Sequence, residues 1–100
     1  MPVKEALLED RVCLYANKLG VRTPKLRMAT ESGWPDRTLL YRGRVLFVEF
    51  KRLGEKPTPL QAYTHEALRQ GGFTVYVIDE CETGKDMIKN WIEHVDNELA

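Results

Sequence analysis

Cysteine is scarce in this sequence: Cys13 and Cys81 stand 68 residues apart, neither with a second cysteine nearby. That spacing excludes a C-x-x-C metal knuckle and a disulfide framework, and both residues read as buried or semi-buried free thiols. Long apolar runs are missing as well, since no stretch approaches the roughly 20 residues needed to span a bilayer. The opening Met1-Pro2-Val3-Lys4-Glu5 lacks the charged-then-apolar pattern of a signal peptide, so a cytoplasmic protein without a membrane partner is expected. Histidine occurs only at His65 and His94, on different predicted helices and without partners at ligand spacing, which argues against a histidine metal centre or general base. Internal repeats and low-complexity segments are absent.

What is present fits one compact domain over residues 1–100, with 43% hydrophobic and 30% charged residues. The formal net charge of zero hides an asymmetry. Residues 1–60 hold twelve Lys/Arg against seven Asp/Glu, and residues 61–100 hold three against eight. Basic character confined to one half provides an electrostatic footprint for a polyanion even in a neutral chain.

Apolar residues Leu7, Leu8, Val12, Leu14, Tyr15 and Leu19 recur mostly at three- and four-residue steps, predicting an amphipathic helix that ends at Gly20. A strand is expected over about Lys25 to Ala29, followed by a loop through Thr30 to Pro35. Asp36 to Tyr41 and Arg44 to Lys51 read as an antiparallel pair around Arg42-Gly43. The unbroken Val45-Leu46-Phe47-Val48 places the second of these centrally in the sheet. Thr58 caps a helix starting at Pro59 and stopping at Gly71-Gly72. Phe73 to Asp79 is a further strand. Thr83 with Asp86 resembles a cap for a last helix, whose apolar stripe is Met87, Ile88, Trp91, Ile92, Val95 and Leu99. The expected architecture is α/β: an αβββαβ core with a C-terminal helix, a mixed sheet flanked by helices, and a right-handed parallel crossover between residues 44 and 79.

Glu49 and Lys51 are two residues apart on the apolar strand, so their side chains leave the same face. Placing charges beside a core strand costs several kcal/mol unless they are paired or hold a metal, which leaves an ion pair at a strand end and a metal site as the two readings. Asp36, after Pro35, opens the neighbouring strand and can meet Glu49 across the hairpin, offering oxygen ligands to a hard cation such as Mg²⁺ or Mn²⁺.

Gly33-Trp34-Pro35-Asp36 followed by Glu49-Phe50-Lys51 resembles the signature of the PD-(D/E)XK nucleases. The G-x-P-D form, the preceding helix with glutamate and the following Pro-x-x-Gln resemble more closely the virus-type replication-repair nuclease domain, VRR-NUC, in its stand-alone form from phages and bacteria. The likeness covers about residues 5 to 80. It implies a restriction-endonuclease-like fold in which Asp36 and Glu49 ligate Mg²⁺ or Mn²⁺ and Lys51 orients or activates the attacking water. A glutamate of the first helix completes the site, with Glu9 preferred and Glu5 the alternative at the rim. Gln61 matches the family's glutamine, expected to hold a water or a phosphate near the metal.

The resemblance further implies DNA hydrolysis to a 5′-phosphate and a 3′-hydroxyl, in the cytoplasm of a bacterium or a phage-infected host. Arg22, Lys25, Arg27, Arg37, Arg42, Arg44, Arg52 and Lys56 are candidate phosphate contacts from the same half of the chain, and Trp34 is a candidate for stacking on a base or for packing. Stand-alone members suggest a homodimer resolving four-way DNA junctions in DNA repair, with the last helix around Trp91 and Ile92 as an interface or as core. The alternatives are a monomeric nickase or flap nuclease acting on branched or duplex DNA, and a non-catalytic DNA-binding module.

Overall fold

Four apolar or small residues at helical spacing, Leu8, Val12, Cys13 and Ala16, are the buried face of α1 (Glu5–Lys18) in a computed structural model that describes residues 4–100. Leu7, Leu14 and Leu19, expected on that stripe, point outward, so the buried face is narrower than the periodicity predicts. The helix closes through Leu19, and Gly20 takes a φ of 89°.

The strand expected over residues 25–29 does not form. Arg22 instead makes an isolated antiparallel bridge to Leu40, and the Pro24 carbonyl accepts from the Thr38 amide. Pro24 has no amide hydrogen with which to return the bond, so pairing stops there and residues 25–31 run as an exposed loop. The element order is α1, β1 (Arg37–Tyr41), β2 (Arg44–Phe50), α2 (Pro59–Gln70), β3 (Thr74–Ile78), α3 (Cys81–Glu98).

β1 and β2 pair antiparallel across Arg42-Gly43, both with positive φ (48° and 78°), as a two-residue hairpin turn requires. Its two arginines point back to the last helix, where Arg42 pairs with Asp96 and Arg44 with Glu98. These two cations thus brace the hairpin. β2 is central and pairs parallel with β3, to which α2 returns the chain, giving the order β1-β2-β3.

Strand alternation divides β2 between two layers. Leu46, Val48 and Phe50 enter the main core with Leu8, Val12, Ile88 and Trp91 from α1 and α3. Phe47 and Glu49 take the opposite face, where Phe47 meets Trp34 and Phe73 edge-on and Glu49 faces α2.

α2 begins with the expected Thr58 cap, as a full capping box with Gln61. The cap of α3 lies three residues earlier than the expected Thr83. Glu80 accepts from the Glu82 and Thr83 amides at 3.1 and 2.6 Å, its two carboxylate oxygens taking two free donors where a hydroxyl takes one. Trp91 and Ile92 are buried in the chain's own core, so they do not offer the interface considered for them.

Gly84 lets α3 lie against β3, because a β-carbon there would stand 2.5 Å from Ile78 Cγ2 and 3.3 Å from Val12 Cγ2. Gly84→Ala should therefore lower stability by about 1–2 kcal/mol net, overpacking outweighing alanine's better helix propensity. Urea denaturation checks this, and a variant as stable as the native chain would show that the contact yields freely.

Candidate active site

The C-terminal end of β2 assembles the polar cluster. Glu49 is the penultimate residue of a strand whose last five positions are buried, and its side chain is only 2% exposed. Asp36, one residue before β1, sits beside it because the register pairs Arg37 with Val48. Asp36 Oδ2 accepts from the Phe50 amide at 2.7 Å, holding this carboxylate against that of Glu49.

The loop carrying Asp36 is pressed onto α2. Gly33 takes a φ of 74°, and a β-carbon there would stand 2.9 Å from the Leu60 carbonyl oxygen, while Thr64 Oγ1 donates to the Ser32 carbonyl at 3.1 Å. Only glycine meets both the positive φ and the close approach.

From α2, Gln61 reaches Glu49 Oε2 at 3.4 Å while its Oε1 accepts from the Thr58 amide at 2.9 Å. His65, one turn on and 1% exposed, brings Nε2 to 3.5 Å from Glu49 Oε1. Neither of these two buried atoms has a hydrogen-bond partner among the described residues. Lys51, just past the strand, is buried apart from its approach to Glu55 at 3.8 Å.

Burial is the largest influence on Glu49, followed by the charge and hydrogen bond of Asp36. Together they push its carboxyl from an ordinary 4.5 up to about 8, with Lys51 pulling the other way and Glu5 adding to the rise. At neutral pH the Glu49 carboxyl is therefore held toward its protonated form. Burial, then the charges of Arg69 and Lys51, lowers the His65 pKa and keeps the ring neutral. Beside Asp36 opens a cavity of about 460 Å³ lined by Lys25, Leu26, Arg27, Met28, Glu31, Trp34 and Pro35.

No protein-family model matches the chain. It is 36% identical over 78 residues to "Putative nuclease p44" of Acyrthosiphon pisum secondary endosymbiont phage 1, a match spanning 77% of this chain and 84% of that protein. A solved structure described as a VRR_NUC domain is 32% identical and superposes with a TM-score of 0.76 over 92% of this chain and 97% of its own. The chain belongs to the VRR-NUC family. A second solved VRR_NUC domain protein, at 19% identity and a TM-score of 0.77 over 93% of this chain and 91% of its own, shares the fold.

In this VRR-NUC domain Asp36, Lys51 and Gln61 lie about Glu49, whereas Glu9 is engaged by two cations. Glu9 accepts from Arg37 Nε at 2.6 Å and pairs with Lys25 Nζ at 3.5 Å. From α1, the charge of Glu5 adds to the upward push on Glu49. Arg37 also donates to the Thr23 carbonyl at 2.7 Å, so it braces the fold where a phosphate contact was expected. Trp34 packs edge-on against Phe47 with its indole nitrogen buried, and it also lines the cavity beside Asp36. Arg27, Arg52 and Lys56 remain exposed.

His65 is the residue that sequence reasoning dismissed. Its signal was helical spacing: it lies four positions after Gln61 and so on the same face of α2.

Among the described residues no group of three or more His, Cys, Asp or Glu is disposed to hold a metal. The pair Asp36 and Glu49 nonetheless suits one hard cation. Both offer carboxylate oxygens, and one buried Glu49 oxygen lacks any partner. Water and substrate oxygens complete the coordination of such cations in many phosphoryl-transfer sites. No helix among the described residues is long and apolar enough to cross a membrane.

Proposed function

We propose that this VRR-NUC domain is an endodeoxyribonuclease dependent on Mg²⁺ or Mn²⁺, with Asp36 and Glu49 holding the cation and Lys51 facing the scissile phosphate. The observation that carries the proposal is the meeting of two carboxylates and a buried ammonium at the end of one strand. Isolated buried charges are costly, and a cation bound by both carboxylates would offset that cost. A bound divalent cation supplies charge neutralisation and an acidified water.

The chain's own groups do the rest. Asp36 is aimed by the Phe50 amide, Glu49 would release its proton to solvent on taking up the cation, and Lys51 would place a positive charge where the phosphate gains negative charge. Lys25 and Arg27, lining the cavity beside Asp36, suit the backbone flanking the cut.

The finer reading is a homodimer that cuts four-way junctions symmetrically, two sites serving two strands. With Trp91 and Ile92 buried, its interface must lie elsewhere, and the face of α2 carrying Leu60 and the 75%-exposed Tyr63 is one exposed apolar surface that could serve. The burial of the α3 stripe equally favours the second reading, a monomer that nicks duplexes or cuts flaps.

Cleavage of labelled junction, flap and linear duplex with Mg²⁺ or Mn²⁺, alongside the solution mass, tests both. Paired symmetric cuts from a dimer are expected, whereas single cuts from a monomer select the second reading. DNA binding without cleavage under either metal would reject the enzyme and leave a binding module.

A further inference from the structure

We propose that His65 is a positioning residue of the nuclease site: its ring donates Nε2–H to Glu49 Oε1 and, with Gln61 on Oε2, sets the Glu49 carboxylate for cation binding. The inference rests on the metal-dependent reading above.

Two buried polar atoms without partners stand 3.5 Å apart and face each other, on side chains that are 1% and 2% exposed. Buried polar atoms are satisfied in the great majority of cases, and each exception asks for an explanation. Here a single bond gives Nε2 its partner and Oε1 its first, and leaves the second lone pair of that oxygen for the cation. A neutral imidazole carries one N–H, and with that hydrogen on Nε2 it is the donor Oε1 lacks. Site contacts of this kind are commonly long before ligands bind and shorten afterwards.

The placement is built rather than incidental. The capping box fixes where α2 starts, the Gly33 approach and the Thr64 hydrogen bond fix how deeply it sits, and Gln61 and His65 then meet one oxygen each of the same carboxylate. Partners that orient a metal-binding side chain typically matter 10- to 100-fold to metal affinity or activity.

The test is calorimetric titration of the full chain with Mn²⁺ alone, comparing native, His65→Leu, His65→Gln and Asp36→Ala proteins, with kcat and KM on one DNA substrate. His65→Leu should bind Mn²⁺ about 10–100-fold more weakly and lose kcat with KM for DNA unchanged. His65→Gln, which restores an N–H at similar reach, should recover affinity to within about threefold. Native affinity in His65→Leu, or no rescue by glutamine, overturns the inference. If His65→Leu does not fold, nitrogen-15 NMR of the native imidazole decides: a hydrogen on Nε2 whose signal moves on adding Mg²⁺ is expected, and a bare Nε2 overturns it. A native chain that takes up no Mn²⁺, indistinguishable from Asp36→Ala, sinks the metal reading and this inference together, an outcome distinct from failure of His65 alone.

Discussion

Lys51→Ala should lower single-turnover cleavage at neutral pH by about 10²–10³-fold, the scale on which one preformed charge or donor at a reacting oxyanion acts. Lys51 is 7% exposed and among the described residues its ion-pair partner is Glu55 at 3.8 Å, so this cation is held in the site rather than spent on a tight salt bridge. Its removal acts twice. It withdraws positive charge from the phosphate, and it withdraws the influence that opposes the upward push on Glu49. The Glu49 proton should then be held more tightly and compete better with the cation, so part of the lost rate returns at pH 9 or at high metal concentration. Lys51→Arg keeps the charge but changes its shape and should fall in between. Rates within threefold of native for Lys51→Ala would remove Lys51 from the chemistry.

Glu49→Gln should abolish the proposed metal-dependent cleavage and at the same time stabilise the metal-free protein above neutral pH. In the fold the Glu49 carboxyl lies at about 8 against an ordinary 4.5, so the folded chain holds this proton more tightly than the unfolded one. Such a group contributes stability that is fully present below about pH 4.5 and is lost as pH rises through about 8. Metal-free native protein should therefore melt at falling temperature between pH 5 and 9, and the glutamine variant, which has no proton to lose, should not follow. At about 1.4 kcal/mol per pKa unit the difference at pH 9 is roughly 2–5 kcal/mol, or on the order of 10 °C or more for a domain of this size. Mg²⁺ should raise the native melting temperature at pH 8 and leave the variant unmoved. Melting curves that run parallel across this range would show that Glu49 ionises normally, with a solvated carboxylate in place of a buried pair.

Features set by a few neighbouring residues were legible from sequence. The Arg42-Gly43 turn, the Thr58-Pro59 start of α2 and the apolar centre of β2 each depend on local chemistry, and with them came the meeting of Asp36, Glu49 and Lys51 at a strand end. What failed depended on competition or distance. The basic segment after Pro24 reads as a strand until the missing amide hydrogen is set against the partner offered by β1. Thr83 is a reasonable cap, and Glu80 prevails because its carboxylate takes two donors. Glu5 and Glu9 share one face of α1, and only the fold shows that Arg37 and Lys25 have already taken Glu9. His65 was set aside for the same reason, since the carboxylate it faces lies on another element.

The Thr58 cap has a consequence for engineering this domain. A capping box accepts glutamate as readily as glutamine at its third helical position, and glutamate would be the more usual substitution for stabilising a helix start. At position 61 that exchange is closed. The side-chain oxygen is already committed to the Thr58 amide, so the other atom of the group must turn to Glu49 Oε2, and a second carboxylate oxygen there would meet the first head-on. A thermostable version of this domain has to find its gains elsewhere, because one amide both starts the helix and supports the site.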